Sequence, residues 1–311
     1  MEELKLEGLD GSQLFGFLAT FGLMRLLHKA SLRDPDLQPR LYFDKADYCA
    51  VLRGVPSKEV LEEKLWNELM ELKKRLSEYF SGLDFPGEFA EKDKQQQVGK
   101  IVNSDDEEIL NDFAGLGCVL GGEAYESTLC AANGSGHQKL ILAMRDVLGL
   151  LERHRDLLRK SLFCPWTYDF EVGSEDIDAL NLGDRKPTLR LDPRDERLYA
   201  LRFDDPVSGE APYTTELGAQ ALAAAAFGGL PVAPLERQAI TIGSERNRNK
   251  TYFYWGLWDV PASFLTVRSA IASGVRDQVK ARARGFFAAF RAARVTGDKG
   301  KLSFAPTEPW W

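Results

Sequence analysis

The sequence predicts an α+β protein with a mixed N-terminal region, holding a buried apolar helix and β-hairpins, and a helical, basic C-terminal end. Two kinds of periodicity support this class. Residues 13–29 and 56–80 show helical spacing or continuous apolar character, whereas residues 41–52 are rich in strand-forming residues. Because both kinds occur in one chain of 311 residues, a mixed class is favoured over an all-helical or all-strand one.

The first predicted helix covers residues 13–29. Asp10-Gly11-Ser12 is a helix-start signal, and the apolar residues that follow surround the whole helix: Leu14, Phe15, Phe17, Leu18, Phe21, Leu23, Met24, Leu26 and Leu27. A helix that is apolar on all sides is a buried one. Gly16 and Gly22 lower helix propensity but permit a neighbour to pack closely. We therefore predict that this helix is the centre of the N-terminal core.

The following elements are assigned from spacing and turn residues. Residues 41–52 predict one or two strands, and residues 56–80 predict an amphipathic helix with one charged, solvated face. Further along, we predict a helix over 138–160, with His154 solvated, and a hairpin over 188–203. An Ala-rich helix follows, capped by Thr214 or Thr215 and ending at Gly228-Gly229. The last predicted elements are a hairpin that pairs 238–243 with 251–258 and two helices over 262–272 and 275–294.

Charge divides the chain near residue 235. Residues 236–311 contain 13 Lys and Arg residues against 6 Asp and Glu residues, so they carry +7; since the whole chain carries −7, the first 235 residues carry −14. Rings are interleaved with these cations: Tyr252, Phe253, Tyr254, Trp255, Trp258, Phe264, Phe286, Phe287, Phe290, Phe304, Trp310 and Trp311. Cations pair with phosphates and rings stack on bases, so this pattern favours nucleic-acid binding. We predict an acidic α+β body over 1–235 and a basic, aromatic region over 236–311.

Other bulk features indicate a cytoplasmic protein without a metal or other cofactor. The N-terminal segment is acidic, unlike a secretory signal, and no apolar run reaches the roughly 18 residues that a membrane span needs. The four cysteines form no CxxC motif, which fits a reducing compartment. His28, His137 and His154 do not cluster with cysteines at zinc spacing.

The first candidate binding site is a Gly-rich segment before the predicted helix 138–160. Its members are Asn133, Ser135, His137 and Gln138. Free backbone amides at a helix N-terminus can hold a phosphate. The segment matches neither the P-loop nor the dinucleotide-binding fingerprint, and a plain tight turn remains the alternative.

The second candidate is the tip of the hairpin predicted around residue 247. Three cations and two amides follow one another there: Arg246, Asn247, Arg248, Asn249 and Lys250. Arg and Asn side chains can read base edges with paired hydrogen bonds. A solvated, flexible turn is the alternative interpretation.

The third candidate is a basic stripe on the predicted helix 275–294. Arg276, Lys280 and Arg284 are four residues apart and so share one helix face, with Arg282 on the flank. Aromatic residues on the other side of the helix would pack against the body. An ordinary amphipathic surface helix is the alternative.

Enzymatic motifs are weak in this sequence. There is no GxSxG motif, and Asp192, Asp195 and Glu196 fall in a predicted turn, where acidic residues are ordinary. We therefore predict a protein without catalytic residues that acts by contact.

Four segments together resemble CRISPR type I effector proteins, in the large-subunit and helicase-extension families of the type I-G (formerly I-U) group. Leu6–Leu27 is similar to their opening, and NGSGHQKLILAMRDVL, residues 133–148, to their G-x-G-H-Q segment. RLDPRDERLYALRFDDP, residues 190–206, resembles their R-x-D-P hairpin, and FYWGLWDVPASFLTVRSAI, residues 253–271, their V-R-S ending. The chain is shorter than typical large subunits and lacks helicase and HD-nuclease motifs.

The resemblance implies a subunit of a Cascade complex, the RNA-guided DNA surveillance assembly of antiviral defence. Its partners would be the other Cascade subunits, the CRISPR RNA (crRNA), target double-stranded DNA and the helicase-nuclease, with no membrane. In such complexes protein reads the protospacer-adjacent motif (PAM) while guide pairing reads the sequence. Two other interpretations remain open: a protein–protein adaptor within the effector, and a nuclease with an unrecognised site.

Overall fold

Helices and antiparallel sheets occur throughout the chain, which confirms the α+β class. The computed structural model describes residues 3–79, 104, 107–120, 123–129, 140–183, 187–192, 214–235, 238–247, 250–296 and 302–311. Within them the helices are α1 Leu14–Arg33, α2 Lys58–Tyr79, α3 Glu107–Phe113, α4 Leu140–Arg153, α5 Asp156–Phe163, α6 Ser174–Ala179, α7 Leu217–Ala226, α8 Phe264–Ala272 and α9 Gln278–Ala283, with a 3-10 turn over Phe227–Gly229. The strands are β1 Leu4–Asp10, β2 Arg40–Phe43, β3 Cys49–Arg53, β4 Gly117–Leu120, β5 Glu123–Glu126, β6 Val232–Leu235, β7 Gln238–Thr241, β8 Ser244–Asn247, β9 Lys250–Trp258, β10 Phe286–Thr296, β11 Leu302–Phe304 and β12 Glu308–Pro309.

Helix α1 is the central helix of the core, as the sequence predicts. Every residue from Leu14 to Leu27 is buried. Gly22 lies against the Leu222 carbonyl oxygen of α7, at a place that a Cβ would overlap, so only glycine permits this close helix contact. The side chain of the N-cap residue Gln13 makes no capping hydrogen bond; the Thr307 hydroxyl accepts the Leu14 N–H at 3.1 Å, and Asp10 accepts the Ser12 N–H at 2.8 Å in a turn just before the helix.

The N-terminal sheet has the strand order β1-β3-β2 and is antiparallel. The predicted strand region 41–52 forms a hairpin in which Leu41 pairs with Leu52. Helix α2 follows at the predicted place and buries the leucines of its apolar face: Leu61, Leu65, Leu69, Leu72 and Leu76. Helices α1 and α5 pack on β1. The structure confirms these assignments. They were predictable because each element has an uninterrupted periodicity bounded by turn residues.

The C-terminal sheet packs on α1 from the far end of the sequence. Its strand order is β11-β10-β9-β8, and β12 also pairs with β10. The rings of Phe253 and Trp255 in β9 lie 6.4 and 5.7 Å from the ring of Phe17 in α1. The indole N–H of Trp255 donates to the Gly11 carbonyl at 2.8 Å. Residues from both sides of position 235 thus share one core; the predicted division there stays a prediction.

The predicted helix 275–294 is wrong, whereas the predicted helix 262–272 is confirmed as α8, so the C-terminal end is helical only in part. Helix α9 covers only Gln278–Ala283, and the chain then enters β10. Gly285 has a φ of 91°, a left-handed conformation that ends the helix. The segment from Phe286 is a central strand that buries Ala289 and Ala292. Pairing with neighbours on both sides overrides the helix propensity of its alanines.

The second predicted hairpin has the wrong partner strand. Residues 238–241 form β7, which pairs with β6, and the predicted connecting loop supplies β8. β8 pairs with β9 in the register Ser244 to Phe253 through Asn247 to Lys250. Gly243, with a φ of 87°, makes the turn that separates β7 from β8.

The predicted helix 138–160 is broken at His154, between α4 and α5. The prediction that His154 is solvated is wrong, because its Nε2 lies 3.0 Å from both carboxylate oxygens of Asp176 and its ring contacts Phe170. The predicted hairpin 188–203 has no strand within its described part, 188–192; the remainder lies outside the described residues.

The Ala-rich helix is confirmed as α7, which continues into the 3-10 turn that ends at Gly229. Its predicted threonine cap is wrong. Glu216 occupies the N-cap position, and no side chain caps the helix there. The hydroxyl of Thr215 instead accepts the Gln220 side-chain N–H at 3.3 Å.

Candidate nucleic-acid interface

The hairpin of β8 and β9 presents part of the second predicted site. Arg246, Asn247 and Lys250 are exposed at its end, and Asn247 pairs with Lys250 across the two strands. Side chains alternate between the faces of a strand, so Lys250 and Asn247 share the outer face of the sheet with Tyr252. Arg246 pairs with Thr251 and lies on the opposite face.

Several predicted site residues fall outside the described part of the chain. These are Asn133, Ser135, His137 and Gln138 of the Gly-rich segment, and Arg248 and Asn249 of the hairpin connection. Their role in binding stays a prediction.

The third predicted site surrounds a short helix. Arg276 precedes the N-cap residue Asp277, while Lys280 and Arg282 lie within α9, and all these side chains are exposed. Asp277 caps the helix by accepting the Lys280 backbone N–H at 3.1 Å. This hydrogen bond is the main cause that lowers the pKa of the Asp277 carboxyl below its usual value.

Arg284 does not share a helix face with Arg276 and Lys280, so the predicted stripe is wrong. It is the residue that follows α9, and its Nη1 donates to the carbonyls of Ser273 and Gly274 at 3.0 and 2.9 Å. Arg284 therefore closes the loop before α9. The stripe fails because the helix has six residues, fewer than two full turns.

The structure brings the hairpin and the α9 region together on one surface. The Arg276 guanidinium forms an ion pair with Glu245 of β8, which is paired with Tyr252 on the outer face of the sheet. The indole N–H of Trp310 donates to the Arg276 carbonyl at 3.2 Å. Two basic segments that are separate in sequence are thereby neighbours in space.

A group of aromatic and charged side chains on the outer face of the sheet, which we call the Arg291 stack, was not predicted as a site. It consists of Tyr252, Tyr254, Arg291, Glu308 and Trp310. The guanidinium of Arg291 lies 4.9 Å from the ring centre of Tyr252 and 4.6 Å from that of Trp310. Glu308 accepts from its Nε at 2.9 Å and its Nη2 at 2.8 Å. Trp310 is 37% exposed, so part of its ring remains open to solvent.

The Arg291 stack extends to the last residue. The edge of Trp310 meets Tyr254, with ring centres 5.4 Å apart, and Arg282 lies over the Trp311 ring at 5.4 Å. The signal in the sequence was the Trp310-Trp311 pair near an acidic residue. These cation–π contacts join residues 19 to 39 positions apart and depend on the sheet register, which no local sequence pattern reveals.

The described part of the chain also contains an acidic cleft of about 510 Å³. Glu7, Asp10, Asp47 and Asp192 line it, beside Trp166. No group of three or more His, Cys, Asp or Glu side chains is placed to hold a metal ion within the described residues. Nor does any helix described by the structure combine the length and apolar character needed to cross a membrane.

Comparison of the sequence with protein-family models and with curated proteins found no match. The resemblance to CRISPR type I effector subunits therefore stays a prediction. The surface formed by the hairpin, the α9 region and the Arg291 stack is the basis on which a function can be assigned.

Proposed function

We propose that this chain is a non-catalytic subunit of an RNA-guided CRISPR type I surveillance complex. In this role the outer face of its C-terminal sheet contacts target DNA near the PAM, and the complex recruits a helicase-nuclease. The surface takes the phosphate backbone on its cations and unstacked bases on its exposed rings. Base pairing with the guide supplies the sequence readout in such assemblies.

One observation carries the proposal: exposed cations from two segments lie beside the partly exposed Trp310 of the Arg291 stack. Lys250 shares the outer face of β9 with Tyr252, Arg276 accepts a hydrogen bond from Trp310 through its carbonyl, and Arg282 lies over the adjacent Trp311. Exposed cations beside a partly exposed Trp provide both contacts that single-stranded nucleic acid requires. The net charge of +7 in residues 236–311 adds long-range attraction for a polyanion.

The test is an electrophoretic mobility assay of the assembled complex on PAM-bearing duplex over a range of salt concentrations. Lys250→Ala with Arg282→Ala removes two exposed cations from the interface. If each neutralises one phosphate, the slope of log K against log salt decreases by about 2. Trp310→Ala is expected to weaken binding further by about 1–3 kcal/mol, the contribution of one stacked base.

Lys74→Ala is the matched control, because Lys74 is an exposed cation on α2, remote in sequence from the basic region. It should leave both affinity and salt slope unchanged. Arg246→Ala tests the choice of face, since Arg246 lies on the opposite side of the strand and should matter less than Lys250. Equal losses for Lys74→Ala and the double variant would contradict the proposal.

The acidic cleft favours one second function, a protein–protein adaptor. Its four carboxylates beside Trp166 fit a cationic segment of a partner subunit. The exposed Glu7 can be changed to Lys without removing a buried group. The adaptor function would be favoured by two results together. The wild-type complex would keep all its subunits after nuclease treatment, and the Glu7→Lys complex would lose a subunit.

A further inference from the structure

A second cleft, about 480 Å³ in volume, lies between α1, α3 and α8, where the acidic region 1–235 meets the basic region 236–311. Four of its lining residues are cations: Arg25, Lys29, Arg33 and Arg268. Clefts of this size accommodate small ligands. Two elements bring this positive charge together: α1 of the acidic region, with Arg25, Lys29 and Arg33, and α8 of the basic region, with Arg268.

The cleft has more cations than carboxylates: Arg33 pairs with the buried Glu68, and Glu108 also lines the cleft, but Asp112 faces several cations at once. Asp112, whose side chain is fully buried, accepts from Arg25, from Lys29 at 2.9 Å and from Arg75 at 2.6 Å. Arg75 has a further partner in Glu108 at 3.1 Å. The other hydrogen bonds of Arg25 go to the neutral carbonyls of Ala225 and Asn111. Asp112 is therefore the carboxylate that pairs with both Arg25 and Lys29, and its single negative charge does not balance the two positive charges.

Arg268 adds a cation without compensation. It lines the cleft and is partly buried, yet it makes no hydrogen bond or ion pair with the portion of the chain that the structure describes. Its charge also acts on Arg25, where burial is the main cause of a lowered pKa and the Arg268 charge adds to it. A partly buried cation without a carboxylate is costly, and a bound anion would reduce that cost.

One wall of the cleft is aromatic and apolar. The His28 ring stacks on Phe264 with ring centres 5.5 Å apart and an interplanar angle of 29°. Burial, and then the charge of Arg25, lower the pKa of His28, so at neutral pH it is a neutral ring. Leu265, 51% exposed, lies on the same side of the cleft. Flat ligand groups pack on such walls.

Gly228 shapes the floor of the cleft. A Cβ at this position would overlap the Arg25 guanidinium and the Asn111 carbonyl oxygen. The glycine therefore leaves room for the guanidinium to lie beneath the cavity.

We propose that this cleft binds a nucleotide, with its phosphate monoester held by Lys29 and Arg268 above Arg25 and its base against the His28–Phe264 pair. A phosphate monoester supplies up to two negative charges and three acceptor oxygens, which match the excess of donors. The source is either a free mononucleotide or the 5′-phosphorylated end of a nucleic-acid strand. The site is separate from the Arg291 stack, and the inference does not depend on the proposed function.

Isothermal titration of the full 311-residue chain tests this with five probes. Adenosine monophosphate should bind, inorganic phosphate more weakly and adenosine weakest, because the site takes both groups together. A 5′-phosphorylated trinucleotide and its 5′-hydroxyl form separate the two sources. If the phosphorylated trinucleotide binds at least as tightly as adenosine monophosphate and more tightly than the hydroxyl form, the ligand is a strand end. If the phosphorylated trinucleotide does not bind, the ligand is a free nucleotide.

Arg268→Ala is the informative variant because it breaks no hydrogen bond or ion pair within the described residues. It should weaken adenosine monophosphate by about tenfold or more, which corresponds to about 1.4 kcal/mol. His28→Ala should reduce the preference for adenosine monophosphate over inorganic phosphate, and Lys74→Ala should change neither. The proposal is overturned if a correctly folded chain does not bind adenosine monophosphate at millimolar concentration, or if Arg268→Ala leaves its affinity unchanged. If inorganic phosphate and adenosine monophosphate bind with equal affinity, the assignment of a base to the cleft is overturned.

Discussion

Asp112 is a single buried carboxylate on which three cations of α1 and α2 converge. Its removal would leave Arg25 and Lys29 partly buried without their counter-charge, and such a loss is more costly than the pair was worth. We expect Asp112→Ala to lower the free energy of unfolding by about 3–5 kcal/mol in urea denaturation. Asp36→Ala, at an exposed carboxylate, serves as the control and should change it by less than about 0.5 kcal/mol.

Asp176 makes the stability of the fold depend on pH. Burial alone would raise its pKa, but hydrogen bonds from Arg153 at 2.8 Å and His154 hold the pKa below its usual value. A carboxyl with a lowered folded-state pKa stabilises the fold above its unfolded-state value of about 3.9, and this stabilisation is lost as the pH falls through the folded-state value. Between about pH 5 and pH 2, the free energy of unfolding should therefore decrease more for the wild type than for Asp176→Asn. Identical pH profiles in urea titrations would contradict this assignment.

The sequence predicted single residues well where their environment is local and poorly where a distant partner decides. The exposure of Lys250 and Arg276 was expected from charge and turn context. His154 was misjudged because its partner Asp176 lies 22 residues away, across a break that no spacing reveals. Arg291 was placed on a helix, whereas its two rings and Glu308 come together through the register of three strands.

Helices α1 and α7 make a close contact through Gly22, so a substitution there should disturb the packing of two whole helices. Gly22→Ala gains about 1 kcal/mol in helix propensity, yet its Cβ collides with the Leu222 backbone, which cannot rotate away. Overpacking of this kind outweighs the gain, so we expect a net destabilisation of about 1–3 kcal/mol in thermal or urea unfolding.

Gly149 in α4 is the matched control for this substitution. It is also a buried helix glycine, but a Cβ added to it would meet only the Leu180 side chain, at 3.2 Å, and that side chain can move. Gly149→Ala should be neutral or stabilising by up to about 1 kcal/mol. If both substitutions had the same effect, close helix packing would not be the cause.

The long helices were predictable, whereas the short polar strand β8 and the Ala-containing strand β10 were not. Helices α1 and α2, of 20 and 22 residues, contain enough turns for a period to be recognised. β8 has four residues, and its polar composition resembles a loop. In β10, the alanines and arginines have high helix propensity, and the strand is recognised only from its pairing with β9 and β11.

At the scale of the whole molecule, the buried apolar residues that the structure describes form a continuous hydrophobic core across the charge boundary at residue 235. Trp258 donates to the Leu41 carbonyl at 2.7 Å, and Phe17 of α1 lies against Trp255. We therefore expect fragments 1–235 and 236–311, expressed separately, to lack the cooperative thermal unfolding of the full chain when followed by near-UV circular dichroism. Mixing the two fragments should restore part of that signal. Independent cooperative unfolding of each fragment would show that the charge boundary is also a folding boundary.

The position of α1 has a consequence for the synthesis of this protein. The helix emerges from the ribosome early, but the Phe253 and Trp255 rings that cover it are translated more than 200 residues later. At about 5–20 residues per second, the delay is about 10–45 s, during which an all-round apolar helix lacks part of its cover. During this time the apolar surface of the nascent helix must be shielded by a chaperone or by transient contacts. A variant that slows the completion of β9 should therefore aggregate in cells even if its final fold is fully stable.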